Sequence, residues 1–168
     1  RPALAICDVG LLKEMVPAAQ DARDKLPVLC FGDPARLDGM EARAARRSSD
    51  FAGCVTAADD VALLSFTSGT TGAPKAVVTT HRDVLAACNA WPRSVLKATP
   101  DDVVTGSPPL AFTFGLGGLL LFPMAAGASV YYPAVRFDPE NMMRKMRDNG
   151  TTTCYTAPTM YRPTPPYT

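Results

Sequence analysis

Apolar runs of strand length alternate with amphipathic runs of helix length along the chain. Ala3–Cys7 reads as a strand, Val9–Lys25 as a helix and Val28–Phe31 as a second strand. The charged, alanine-rich stretch Pro34–Arg47 predicts a helix exposed on its arginine face, and Ser48–Asp60 a linker. Val61–Thr67 is apolar at successive positions, the pattern of a central parallel strand buried on both faces. Ala76–Thr79 predicts another strand. Thr80 and Asp83 then fit a capping box, with a hydroxyl at N-cap and a carboxylate at N3, opening a helix from His81 toward Leu96 that Pro92 disturbs. Val103–Ser107, Ser129–Tyr132 and Thr151–Thr156 read as strands, and Phe114–Ala125 as a glycine-containing helix. Asp138-Pro139-Glu140 opens a helix with proline at N1, and Asn149-Gly150 closes it. The alternation predicts an α/β fold, a mostly parallel sheet flanked by helices. Residues 163–168 hold three prolines and predict an irregular tail.

A chain of 168 residues can bury one sizeable core. With 47% hydrophobic and 20% charged residues it is not a disordered segment. A formal charge of +1 and no basic stripe argue against nucleic acid. The longest apolar stretch, Leu116–Ala126, is broken by Gly117, Gly118 and Pro123 and is too short to span a bilayer, so no membrane partner is expected. The cysteines at 7, 30, 54, 88 and 154 form no Cys-x-x-Cys pair. That spacing favours buried, reduced thiols and a cytoplasmic setting over zinc or a disulfide framework. The first residues carry neither an initiator Met nor a signal-peptide pattern, so the chain is expected to start inside a longer gene product.

The segment FTSGTTGAPKAVVTTH, from Phe66 to His81, carries the densest chemistry. Thr67, Ser68, Thr70 and Thr71 offer hydroxyls, Gly69 and Gly72 let the backbone approach a ligand, and Lys75 adds a mobile cation. Successive N–H groups in such a loop make an anion-binding concavity, so the segment reads as a polyphosphate cradle. A plain flexible hairpin loop between two strands is the competing reading. A Walker A loop is excluded, because position 74 is Pro and Ala76 follows the lysine.

This segment resembles the phosphate loop of the adenylate-forming acyl-CoA synthetase superfamily, which includes aryl-CoA ligases, luciferases and peptide-synthetase adenylation domains. PPLAFTFGLGG (108–118) resembles that superfamily's second motif, and DPENMMRKMRDNGTTTCYTAPTMYR (138–162) the helix, strand and Pro-Thr-x-Tyr turn that follow. The wording is most similar to the benzoate- and 2-aminobenzoate-CoA ligase branch. Ala76 departs from the Gly that usually follows the loop lysine, and the tail departs from the helix expected there.

The resemblance implies that residues 1–162 form part of the large N-terminal domain, with the phosphate loop at 66–76 and the C-terminal domain not included. It implies ATP-dependent activation of a small carboxylic acid to an acyl-adenylate, then thioester formation with coenzyme A, with Mg2+ on the ATP. Thr67, Ser68, Gly69, Thr70, Thr71, Gly72 and Lys75 would hold the β- and γ-phosphates, Lys75 also serving catalysis. Phe112, Thr113, Phe114 and Gly115 would line the acid pocket. Two phenylalanines beside small residues suit a flat ring, although a Phe pair in the core and a medium-chain acid in an apolar slot both stay open. A non-catalytic phosphate-binding module and an adenylation domain loading a carrier protein are the alternative functions. The isolated chain is expected to be inactive. His81 reads as the first residue of a capped helix, Asp101 and Asp102 as solvated, and Trp91 as a packing residue.

Overall fold

The computed structural model describes residues 2–67, 72, 74–133 and 138–162. Contacts divide the chain into two compact units, residues 1–54 and 55–168. The predicted tail at 163–168 lies outside the described residues.

The first unit is a βαβ crossover. Strand β1 (Ala5–Asp8) leads through a 3-10 turn (Val9–Leu11) into helix α1 (Leu12–Asp21), and β2 (Val28–Phe31) returns parallel to β1. Asp8 starts the turn by accepting the Gly10 N–H at 2.8 Å. Helix α1 is shorter than the predicted 9–25. Ala22 turns extended, and Lys25 takes a left-handed φ of 45° on the way into β2. Cys7 faces Cys30 across the strands, and both are buried together with Ala19 of α1.

The predicted helix Pro34–Arg47 shrinks to α2 (Met40–Ala44). Local polar bonds outcompete the helix before it. Asp33 accepts the Ala35 N–H at 3.0 Å, and the Arg36 guanidinium grips Asp38 through two bonds of 2.9 Å. Glu41 then anchors α2 to the end of β2 by accepting the Gly32 N–H at 2.7 Å.

In the second unit, β3 (Val61–Thr67) has the predicted bounds but a different setting. It pairs antiparallel with β4 (Lys75–Thr80), and Leu64 and Phe66 are half or more exposed. A central parallel strand would need a crossover of a dozen or more residues before its partner, and residues 68–74 are too few. Helix α3 (His81–Cys88) opens on the predicted capping box: Thr80 accepts from the Asp83 N–H, and Asp83 accepts from the Thr80 N–H. At Asn89 the helix widens into a π-helical segment through Leu96 that contains Pro92.

Strands β5 (Val103–Gly106), β6 (Ser129–Val130) and β7 (Thr153–Tyr155) form a parallel sheet in the order β6-β5-β7. All three are shorter than predicted. Between β5 and β6 the chain forms α4 (Thr113–Leu116), a π-helical turn (Gly117–Leu121) and α5 (Phe122–Ala126). Helix α6 (Pro139–Asp148) crosses to β7, its Asp138 cap accepting the Asn141 N–H at 2.8 Å. A last turn, α7 (Pro158–Tyr161), follows. Val104, Leu119 and Tyr155 form the buried core of this sheet, packed by Leu96, Phe122, Ala128 and Val130. Full burial of such a side chain contributes about 1.5–3 kcal/mol.

Asp102 is partly open to solvent as expected, but its carboxylate also has fixed partners. It accepts from the Thr99 N–H at 2.7 Å and from the Thr152 hydroxyl at 2.6 Å, tying the start of β5 to the approach of β7. The Thr152 hydrogen bond, with those from Thr99, holds its carboxyl below the usual aspartate range. None of the five cysteines forms a disulfide; Cys7, Cys30 and Cys88 are buried as favoured, whereas Cys54 is exposed and Cys154 only partly buried. Among the described residues no helix is long and apolar enough to cross a membrane.

Candidate active site

The β3–β4 hairpin presents the first part of the site. Thr67 and Lys75 are register partners at the open end of the ladder, so a hydroxyl and an ammonium stand opposite each other where the loop begins and ends. Gly72 has φ +90°, and a Cβ added there would meet nothing within 4 Å. That backbone is left-handed and open, as a close approach to an anion requires. Lys75 is exposed and makes no ion pair with a described residue. Ser68, Gly69, Thr70 and Thr71 lie outside the described residues. The neck therefore combines donors of the kind that suit phosphate oxygens. Among the described residues there is no cluster of three metal-ligating side chains, so they offer no built site for Mg2+.

The strand end beyond the neck is fixed from outside the hairpin. Arg82 holds Asp59 through bonds of 2.8 and 3.0 Å, and its N–H donates to the Ala58 carbonyl at 2.8 Å. The guanidinium hydrogen bond lowers the Asp59 pKa. His81 is the first residue of α3, as expected.

The second part is a cavity of about 540 Å³ in the same unit. The sheet order dictates its place. From β5 the chain goes to β6 on one side and then crosses to β7 on the other, and crevices form beyond the carboxyl ends of strands at such a reversal. The ends of β5 and β7 are locked together: the Ser107 N–H donates to the Tyr155 carbonyl at 3.0 Å, and the Ser107 and Thr156 hydroxyls share a bond of 2.5 Å. Beyond them, Trp91, Phe114, Phe122, Tyr155 and Tyr161 supply aromatic walls. Thr113, Gly117, Cys154 and Thr156 complete the described lining. The Tyr155 ring sits 5.8 Å from Trp91 at 58° and 6.3 Å from Phe114 edge-on at 81°.

Among the described lining residues none carries charge at neutral pH. Burial raises the pKa of the Tyr155 phenol and of the Cys154 thiol, and Tyr161 is raised chiefly by desolvation while its hydroxyl donates to the Cys154 carbonyl at 2.7 Å. An aromatic, uncharged recess with a few hydroxyls suits the ring of an acid whose carboxylate stays outside it.

Of the four predicted pocket residues, the structure brings Thr113 and Phe114 to the cavity. Phe112 is 65% exposed and is not part of the lining. Gly115 is buried elsewhere, pressed against the Pro109 carbonyl so closely that a Cβ would collide with it. Gly118 does the related work on the other side, packing under the Tyr155 ring. Sequence reasoning missed Tyr155, Cys154, Tyr161 and Phe122, and assigned Trp91 to packing alone. The strand-end rule was the available signal for Tyr155 and Thr156, once the short β7 strand was recognised.

The sequence profile of the AMP-binding enzyme family matches residues 1–164. The chain belongs to this family. AMP-binding relatives include a benzoate–CoA ligase of Thauera aromatica, 32% identical over 152 residues that cover 89% of this chain and 29% of the relative. A 4-hydroxybenzoate–CoA/benzoate–CoA ligase of Rhodopseudomonas palustris is 34% identical over 155 residues, 88% of this chain and 28% of that protein. Among solved structures, ATP-bound MatB from Rhodopseudomonas palustris matches with a TM-score of 0.82 at 28% identity, over 97% of this chain and 31% of that one. The AMP-binding family and the fold inferred from the glycine loop are thereby borne out. The chain spans less than a third of the length of these proteins.

Proposed function

We propose that this chain carries the phosphate-gripping and acid-binding parts of an ATP-dependent acid–thiol ligase for an aromatic carboxylic acid. A carboxylate oxygen of the acid bonds to the α-phosphorus of ATP, and the bond to pyrophosphate breaks. The sulfur of coenzyme A then bonds to the acyl carbon, its proton is lost to solvent, and AMP leaves. The residues of this chain serve by positioning and by charge stabilisation. Thr67 and Lys75, with Gly72 and the loop residues Ser68, Gly69, Thr70 and Thr71, hold the β- and γ-phosphates. Thr113 and Phe114 hold the acid ring together with Tyr155. Mg2+ would enter with the nucleotide phosphates and would offset their charge. Residues 1–162 then belong to the N-terminal domain of the ligase.

The observation that carries this reading is the uncharged aromatic cavity beyond β5 and β7 in a chain of the AMP-binding family. The benzoate–CoA ligase relatives support the aromatic substrate class. Cysteines without disulfides support a reducing, cytoplasmic setting. The test is ATP–pyrophosphate exchange by the full-length protein with benzoate, 2-aminobenzoate and hexanoate, followed by thioester formation with coenzyme A. Exchange with the aromatic acids is expected. No exchange with any acid overturns the proposal, and exchange without a coenzyme A product points to a carrier-protein thiol.

A further inference from the structure

Two thiols face each other in the part of the chain that the proposed reaction leaves unused. Cys7 of β1 and Cys30 of β2 are register partners in a parallel pair of strands. Residues opposite each other in such a pair send their side chains to the same face of the sheet. Burial follows the alternation: Cys7 and Cys30 are each 5% exposed, whereas their neighbours Ile6, Asp8 and Phe31 are exposed. Helix α1 packs on both strands and buries only the small side chain of Ala19.

Neighbouring strands lie about 4.7–4.9 Å apart, within the span of about 4.4–6.8 Å between the Cα atoms of bridged cysteines. Side chains stand nearly perpendicular to a sheet, so the Cβ atoms stay about as far apart as the strands, a little beyond the roughly 3.5–4.5 Å of a relaxed bridge. Closing a bond between the two sulfurs therefore pinches the strands. A strained disulfide is more easily reduced than a relaxed one, so this pair suits a bond that forms and breaks. Burial favours the same outcome: a sulfenic acid formed on one sulfur meets the other thiol before it meets a second oxidant.

We propose that Cys7 and Cys30 form a reversible redox site, a dithiol that a hydroperoxide converts to a cross-strand disulfide and that a thiol reductant restores. One sulfur takes the terminal oxygen of the hydroperoxide as the O–O bond breaks, giving a sulfenic acid and an alcohol or water. The second sulfur bonds to the first, the S–O bond breaks, and the oxygen leaves as water with the thiol proton. The two thiols lose two electrons and the peroxide gains them. This site stands whether or not the aromatic cavity holds the acid.

The experiment exposes the native full-length protein to graded hydrogen peroxide, alkylates the remaining thiols in acid denaturant and maps the tryptic peptides by mass. Trypsin cuts after Lys13, Lys25 and Arg36, so Cys7 and Cys30 fall on separate peptides. A link between them joins the two at about 2 Da below their summed mass. The link is expected in most chains before either cysteine reaches sulfinic acid, and dithiothreitol is expected to return both thiols. Cys7→Ser and Cys30→Ser should each abolish it. Recovery of both as thiols after the exposed Cys54 is fully oxidised overturns the proposal. So does sulfinic acid on either without a link, a link of either to another cysteine, or a link that forms only after unfolding. A link that dithiothreitol does not reduce overturns its reversibility. The decisive map is made on the wild-type protein, so a serine variant that fails to fold leaves the result standing.

Discussion

Gly118→Ala tests whether the Tyr155 ring is the fixed hub around which core and cavity are built. A Cβ at position 118 would sit 2.8, 2.9 and 3.1 Å from the Cγ, Cδ1 and Cδ2 atoms of that ring. Carbon atoms in favourable contact are about 3.5–4.0 Å apart, so the ring or the helix must yield by roughly 0.7–1 Å. The ring has little room to retreat. Trp91 and Phe114 flank it at 5.8 and 6.3 Å, and the Tyr155 carbonyl is bonded to Ser107 at 3.0 Å. Overpacking of this kind costs about 1–3 kcal/mol. Alanine recovers up to about 1 kcal/mol of helical preference over glycine. With the ring hemmed in on both sides the upper part of the overpacking range, about 2–3 kcal/mol, applies, and a net destabilisation of about 1–2 kcal/mol follows. Urea unfolding read by tryptophan emission and by circular dichroism measures it, with Gly53→Ala as control because a Cβ there meets nothing within 4 Å. The control should stay within about 0.5 kcal/mol of wild type. A Gly118→Ala chain as stable as wild type would refute the idea that the ring is immobile, and with it the use of fixed ring positions to argue specificity.

Lys75→Ala in the full-length protein should slow ATP–pyrophosphate exchange roughly 10- to 100-fold, the loss of a charge-assisted contact of about 1.5–3 kcal/mol; an unchanged rate removes Lys75 from the phosphate site. Phe114→Ala should impair benzoate activation more than acetate activation, while Phe112→Ala, outside the cavity, should affect both acids alike; the ratio of kcat/KM values for the two acids decides. The Asp102 carboxyl titrates lower in the folded chain than unfolded, so its contribution is full above the unfolded pKa of about 3.9 and is lost as pH falls through the folded value. Asp102→Asn should therefore be less stable than wild type near neutrality, with the gap narrowing in acid; a gap that does not depend on pH excludes the carboxylate as the cause.

Element types were legible where a periodic pattern or a capping residue fixed them. Thr80 with Asp83, and Asp138 with Pro139, marked helix starts that the backbone adopts. Failures came where tertiary pairing or local polar bonds decide. The run Val61–Thr67 fits a buried parallel strand and an antiparallel hairpin arm equally well by hydrophobicity, and only the brevity of residues 68–74 separates the two. Pro34–Arg47 carries helix-favouring alanines, yet the Asp33 and Asp38 carboxylates bind nearby donors and hold the first part in turns. The motif pointed to Thr113 and Phe114, and both line the cavity. Phe112 and Gly115 belong to the same motif and serve other surroundings, which sequence adjacency cannot distinguish. Trp91 depends on a π-helical turn whose register no 3.6-residue period reveals.

If Thr67 and Lys75 hold the phosphates as proposed, their pairing across the ladder makes nucleotide grip and hairpin integrity one equilibrium. A polyphosphate held by both residues acts as a clasp across the two strand ends. By mass action, whatever binds the closed ladder and not the frayed one stabilises it, by about 2.7 kcal/mol at a hundredfold excess over Kd. The strand amides of 61–67 and 75–80 should then exchange their hydrogens more slowly when nucleotide is present. Conversely, loosening the Leu64–Val78 cross-strand pair, with no contact to phosphate, should weaken nucleotide affinity by the factor by which it lowers the closed fraction of the hairpin.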